Sequence, residues 1–541
     1  MARQFDAIII GSGLGGLTAG ALYARAGRRV LLVERNDYFG GAATVYRRGR
    51  LAIETSLHEI DGFDDNDPKL PLLRSLGLDR DLEFVDVGAF YEVRSPLLGE
   101  PFVMPHGIEA AREATRARFP QHAEATGVYF ERLSTIGQAI RLAARHQDER
   151  VYWFRHPAEV ARLWRLMRAG ALSLGEELRQ RFGADEAIKI ALTANFSYFH
   201  DDIDHIQFQR YAIAQSSYHT GGRYVRGGSQ ALSDCLAAQI REAGGAVEAG
   251  REVDAILLDG DHVVGVSHRG RDGGDTQRDF APVVFGNAAP QRLAEMLPSS
   301  ARAAFFKSYR DRRPSISLWT VSLGLSRPAR TFGMRNYSVY VFPAWMQRLE
   351  QLRETGALMG RDPAAQLPPY IVVDYHQIDS GLNESGPYLV SLCGIDRVEN
   401  WAGLAPERKR ARKERWMDRL IADLDRQFPG IAGAVMQREM ATAETMQRYL
   451  NTPGGAVYGF APEEGLTETA KFSPQTPIKG LWLASAYTFG GGFSFSMLGG
   501  AAAARAALAE GERSAGALVR RARAALPRVA TVARRQIRGG R

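Results

Sequence analysis

At 541 residues the chain is too long for one hydrophobic core, which argues for two domains and a small appendage. Its 45% hydrophobic and 24% charged residues exclude a disordered or fibrous chain. Two cysteines, Cys235 and Cys393, exclude a disulfide framework or a multi-thiolate metal site and fit a reducing compartment. The net charge of +8 is concentrated: residues 513–541 hold nine arginines and no acid, leaving the preceding 512 residues one unit negative. A balanced body with a basic tail argues against a nucleic-acid partner.

Phe5–Ile10 reads as a strand with no charged segment before it, so no signal peptide is expected. A helix from Leu14 to Ala26 and a strand Arg29–Glu34 complete a βαβ unit, and Ile53–Ile60 is strand-like. From about Glu109 to Gln215 the pattern is helical, with amphipathic runs at Ala158–Gly170 and Gly175–Phe182. The αβ pattern returns with helix Ser229–Ala243 and strands near Ala246–Glu248, Val253–Leu258 and Val263–His268. Strands Ile316–Leu325, Tyr370–Tyr375 and Tyr388–Cys393 precede a charged helix, Glu407–Phe428. Strand Gly480–Ala484, a glycine-rich turn and a helix from Ser496 to Ala509 close the body. The uncharged stretches Ala7–Ala24 and Gly480–Ala504 hold too much glycine to span a bilayer. Nucleotide-fold segments at the start, middle and end predict interleaved domains: 1–108, 215–300 and 440–512 against 109–214 and 301–439, with 513–541 as the tail.

Gly11-Ser12-Gly13-Leu14-Gly15-Gly16 follows a strand and opens a helix, and Glu34 closes the next strand with Arg35 beside it. Gly11 permits the tight turn, Gly13 admits a pyrophosphate, Gly16 allows close packing, and Glu34 can accept both ribose hydroxyls. A second pair, Gly40-Gly41-Ala42, has no obvious use at a nicotinamide site but suits close passage of a phosphate or ribityl arm. Ala484-Ser485 and the turn through Gly491, Gly492, Ser496 and Met497 can aim N–H groups at a flavin. The strand backbone at Val253 can pair with an adenine edge. Separate segments converging on one stretched cofactor point to FAD.

These motifs, with Gly222–Gly228, Val283–Ala288 and Pro477–Ala484, resemble the phytoene desaturase, carotenoid isomerase and retinol saturase family of FAD enzymes. Pro453-Gly454-Gly455-Ala456-Val457-Tyr458-Gly459 is more similar to the saturase branch, whereas Glu54–Ile60 and Gly490–Phe495 depart from the desaturase pattern. The resemblance implies an α/β fold in which a three-layer Rossmann-type FAD-binding domain (GR2-like) interleaves with an α+β substrate domain carrying a helical membrane-facing subregion. It implies hydride transfer between flavin N5 and a C–C bond of a long apolar unsaturated lipid, in desaturation, saturation or isomerisation. Fatty acyl chains are the alternative to carotenoids or retinoids. Amine oxidation on a related fold, or flavin or lipid binding without catalysis, are the competing classes.

On an extended Ile53–Ile60, Glu54 and His58 share a face and can act as orienting carboxylate and general acid or base. Structural packing is the other reading of both. Tyr458 and Tyr487 fall in motifs that the resemblance places beside the flavin, as proton donors or as walls. Tyr218-His219 and Asn195–His200 can line a substrate tunnel or fill a core. No histidine pair has metal spacing, so no metal is expected. Residues 151–170 carry Tyr152, Trp153, Phe154 and Trp164 among Arg155, Arg162, Arg165 and Arg168, a composition suited either to a bilayer interface or to a core-facing helix. With the tail, each arginine of which adds about 1 kcal/mol near an anionic leaflet, this predicts a cytoplasmic protein peripheral on the inner membrane face; a solvated tail is the other reading.

Overall fold

The apolar runs of the βαβ unit pair side by side. In the computed structural model, which describes residues 3–65, 67–145, 150–168, 172–462 and 473–525, they form a five-stranded, all-parallel sheet. Its order is Ala246–Glu248, Val30–Val33, Ala7–Ile10, Val284–Gly286 and Leu481–Leu483. The three middle strands are buried at every residue, which is why they read as unbroken Val/Ile/Leu runs. Alternate side chains serve opposite cores: Ala7 and Ile9 on one face, Ile8 and Ile10 on the other.

The first face packs against the first helix, Leu14–Arg25, with Ser229–Glu242 and the last helix, Gly492–Ala525, through Leu17, Leu236 and Ala501. The opposite face meets a four-stranded sheet (Arg3–Gln4, Thr276–Phe280, His262–Gly270, Arg251–Asp259) and helices Pro290–Met296 and Ser299–Lys307. This is the three-layer α/β arrangement of a Rossmann-type FAD domain. Among the described residues no helix is long and apolar enough to cross a membrane.

A seven-stranded mixed sheet forms the second half of the molecule, in the order Val435–Ala441, Ser317–Leu325, Tyr388–Asp396, Tyr370–Asp374, Ser338–Val341, Tyr91–Arg94, Phe102–Met104. The last two strands fall within 1–108, the span grouped by sequence with the cofactor segments; pairing with Ser338–Val341 draws them instead into this sheet. A second correction concerns Ile53–Ile60. The strand is only Leu51–Glu54, because the Glu54 carboxylate turns back to accept from Ser56 N at 3.2 Å and Leu57 N at 3.1 Å, ending the extended run. Helices from Ile108 to Tyr218 roof the sheet, sharing a core of Tyr129, Phe208, Phe102 and Tyr340.

The first and last helices meet backbone to backbone. A Cβ on Gly500 would overlap the Gly15 carbonyl, and one on Gly15 would overlap the Ala484 carbonyl. Gly511 on the same last helix has open space around it. Gly500→Ala is therefore expected to destabilise by about 1–3 kcal/mol through overpacking, whereas Gly511→Ala gains about 0.5–1 kcal/mol of helix propensity. Denaturant unfolding of the two variants checks the opposite signs.

Candidate active site

The glycine loop after the central strand opens into a cavity of about 1210 Å³. Gly11 takes a φ of 92°, which lets the chain turn sharply under its own helix. A Cβ on Gly13 would meet Asn287 Nδ2 at 2.6 Å and displace that amide, whereas one on Gly16 would strike the Gly11 carbonyl, so backbone packing requires Gly16. The first helix has no side-chain cap at its N-terminus, so its first-turn N–H groups are left for a ligand, and Gly13, Leu14 and Gly15 line the cavity. Glu34 is buried at the cavity wall, its Oε2 accepting from Ser12 N at 2.8 Å and Ser12 Oγ at 2.7 Å, its Oε1 from Asn36 N at 2.8 Å.

The second glycine pair docks on the first loop: Gly40 N donates to the Ser12 carbonyl at 3.1 Å, and Gly41 has a φ of 62°. Gly40, Gly41, Ala42 and Arg35 all line the cavity, Arg35 being tied to the Tyr449 carbonyl at 3.0 Å. Val253 lines it too, from an edge strand of the four-stranded sheet that is bulged between Val253 and Ala255. From the C-terminal segment come Ser485, Tyr487, Gly491, Gly492 and Ser496. Gly16, Ala484 and Met497 do not reach the wall. Gly16 and Ala484 are spent on backbone packing, and Met497 is buried in the helix core.

The proposed Glu54–His58 dyad does not form. Glu54 lies off the cavity wall, accepting from Ser229 N at 2.8 Å, Ser229 Oγ at 2.6 Å and Tyr224 OH at 3.1 Å as well as from its own turn. It clamps the glycine turn before helix Ser229–Glu242 rather than orienting an imidazole. His58 does line the cavity, edge-on to Tyr198 at 5.2 Å, with Nδ1 unpartnered. Burial pushes its pKa down to about 3, so it stays neutral and does not titrate near neutrality. Tyr458 and Tyr487 face the cavity as expected; the Tyr487 hydroxyl has no partner, and Phe460 packs edge-on against its ring at 4.8 Å. Of the two aromatic-polar clusters, Tyr218, Asn195, Tyr198 and Phe199 line the cavity, while His219 is buried beside Phe90 and Phe130. Among the described residues no metal-holding cluster of His, Cys, Asp or Glu occurs.

Residues 14–320 match the family described as flavin containing amine oxidoreductase. The chain belongs to this family. Its cofactor is FAD, and the uncapped helix N-terminus, Glu34 and the paired glycine turns fit such a dinucleotide. The chain is 24% identical to all-trans-retinol 13,14-reductase of Homo sapiens over 505 residues, covering 89% of this chain and 82% of that one. It is 25% identical to phytoene desaturase (neurosporene-forming) of Rhodobacter capsulatus, over 91% of this chain and 92% of that one. With the chloroplastic prolycopene isomerase of Arabidopsis thaliana it shares 23%, over 85% and 74%. Among solved structures, an oxidoreductase from Methanosarcina mazei superposes with a TM-score of 0.59 at 16% identity, covering 92% of this chain and 99% of that one. Cyclohexylamine oxidase from Brevibacterium oxydans gives 0.58 at 16%, over 94% and 99%. The protein is thus an FAD-dependent oxidoreductase.

Two wall residues of this flavin enzyme stand outside the site residues read from sequence. Asn287 Nδ2 donates to the Gly11 carbonyl at 3.3 Å and fills the space beside Gly13; its place at the end of a parallel strand, next to the glycine loop, was the available signal. Glu59 was visible only as a neighbour of His58. Because Glu54 is a structural clamp, Glu54→Ala strands several buried donors and is expected to cost about 3 kcal/mol or more. Glu54→Gln should keep turnover per bound flavin within a factor of about three of wild type; unfolding curves and flavin-normalised rates separate the two effects.

Proposed function

We propose that the enzyme adds or removes hydrogen across a C–C bond of a long apolar unsaturated lipid. The observation that carries this reading is the continuity of one cavity. The groove beside the glycine loops runs without a break into a chamber walled by Phe90, Ile140, Tyr198, Phe199, Ile206, Ile213 and Tyr340. A chamber of that size and lining suits an extended hydrocarbon with few polar groups. The printed activities of the relatives, on retinol, phytoene and prolycopene, support the same substrate class.

When bound, FAD supplies reversible hydride exchange with carbon. The chain's own part is to hold the lipid against it and keep water out. Tyr198, Tyr340 and His58 present rings to the chamber, and the uncharged His58 avoids placing a buried cation beside hydrocarbon. The family name also brings amine oxidation to mind. One lysine of the described chain, Lys69, does line the cavity, but its ammonium is buried in an ion pair with Asp67.

The substrate is proposed to come from a bilayer. Phe154 is 88% exposed and Trp164 55% exposed, on short helices Arg150–Arg155 and Pro157–Arg168, among exposed Arg155, Arg162 and Arg165. Rings and guanidinium groups together suit an anionic interface, which supports a peripheral position on the inner face of the membrane. Residues 526–541 of the arginine tail lie outside the described residues.

Incubation of the enzyme with carotenoid, retinoid and acyl-lipid pools, read by mass spectrometry, tests the reaction. Gain or loss of two hydrogens, or isomerisation, in one pool is expected; peroxide release with amines and no change in any lipid would overturn the reading. Phe154→Ser with Trp164→Ser is expected to weaken sedimentation with phosphatidylglycerol vesicles about tenfold or more, while FAD content is unchanged.

A further inference from the structure

Two neighbouring carboxyl groups on the cavity wall are treated in opposite ways. Asp61 is surrounded by donors: Ser217 Oγ and Ser494 Oγ both bond it, and Lys69 lies nearby. Burial works against its charge, but Lys69 and the two hydroxyls outweigh burial and hold its carboxyl below the usual range. Glu59, two residues earlier, receives no donor. Its Oε2 is enclosed and unpartnered, and so is the Nε2 of His106. Both atoms crowd the same spot: a Cβ on Gly222 would lie 2.6 Å from Glu59 Oε2 and 3.1 Å from His106 Nε2.

The tautomer of His106 follows from its other nitrogen. Nδ1 sits 2.8 Å from the Tyr218 carbonyl, which can only accept, so Nδ1 carries the proton and Nε2 is a bare acceptor. The ring is held there by stacking on Phe90 at 5.2 Å. A carboxylate oxygen and a bare imidazole nitrogen are therefore each enclosed against Gly222 without a donor. A proton on Glu59 removes the stranded charge from its own enclosed oxygen.

We propose that Glu59 is the proton donor of the reaction, a neutral carboxylic acid at the cavity wall. The proposal rests on the C–C reading of function and gives it a direction: a resting acid suits addition of hydrogen. With FAD bound and reduced by a two-electron donor, hydride would be supplied to one carbon as the π bond of the lipid breaks, and its neighbour would take the Glu59 proton. The Glu59 O–H bond breaks with its electron pair left on oxygen, and the carboxylate is reprotonated from water. The charged groups facing Glu59 are Asp61 and Asp86, with His106 and the neutral Tyr218, Tyr337 and Tyr340 around it. Burial first, then the charges of Asp61 and Asp86, push the Glu59 pKa up to about 8. The acid form is full below that value and is lost as pH rises through it, so reduction should fall about tenfold per pH unit above about 8.

Infrared difference spectroscopy of the oxidised, FAD-loaded protein tests the acid without substrate. A neutral-carboxyl band that converts to carboxylate near pH 8 is expected, absent in Glu59→Gln. Glu59→Gln should lose about 100-fold or more in lipid turnover at unchanged FAD content. Absence of the band, or wild-type turnover by Glu59→Gln, overturns the proposal. A wild-type protein that shows the titrating band yet changes no lipid supports the acid and sinks the functional reading instead.

Discussion

The contact on which the molecule depends is one between backbones. The Gly15 carbonyl leaves no room for a side chain on Gly500, and the Ala484 carbonyl leaves none on Gly15. Two stretches far apart in the chain, the first helix and the C-terminal segment, are drawn to van der Waals distance by the lack of a Cβ. The first glycine loop, the turn through Gly491 and Gly492, and the paired glycines at Gly40 thus open onto one cavity. Any side chain at the crossing would separate the cofactor loop from the segment that closes it.

Beyond that crossing several buried titratable groups on or near the cavity wall are held in uncharged forms. Burial holds His58 and His219 neutral and raises the carboxyl of Glu59, while the wall tyrosines are held far from ionisation. Asp61 alone among these is supplied with donors and a cation that preserve its charge. A chamber for hydrocarbon must avoid stranded charge, and one that moves protons must keep at least one group able to give one up. The contrast between Asp61 and Glu59 meets both needs within three residues of chain.

Much of this was legible in the sequence where sterics or two-sided burial leave a strong pattern. Val30–Val33 and Ala7–Ile10 are buried on both faces and read as strands; the Gly11–Gly16 loop followed by Glu34 announced a dinucleotide; helix Ser229–Glu242 was bounded by its glycines. What was illegible depends on contacts between distant residues. Glu54 and His58 alternate as a strand would, but the Glu54 carboxylate captures Ser56, Leu57 and Ser229 and breaks the alternation. Met497 sits in a flavin-like motif yet faces inward, because the last helix begins at Gly492, earlier than the expected Ser496. Glu59 owes its environment to Gly222 and His106, which no local pattern links to it.

The central claim is that an apolar molecule meets the flavin in this one cavity. Anaerobic mixing of dithionite-reduced enzyme with long unsaturated lipids, followed by flavin absorption, tests this most directly. The account predicts that the oxidised flavin band returns as the lipid gains two hydrogens. A flavin that stays reduced with every such lipid, in an enzyme whose oxidised form is bleached by amines, would contradict it.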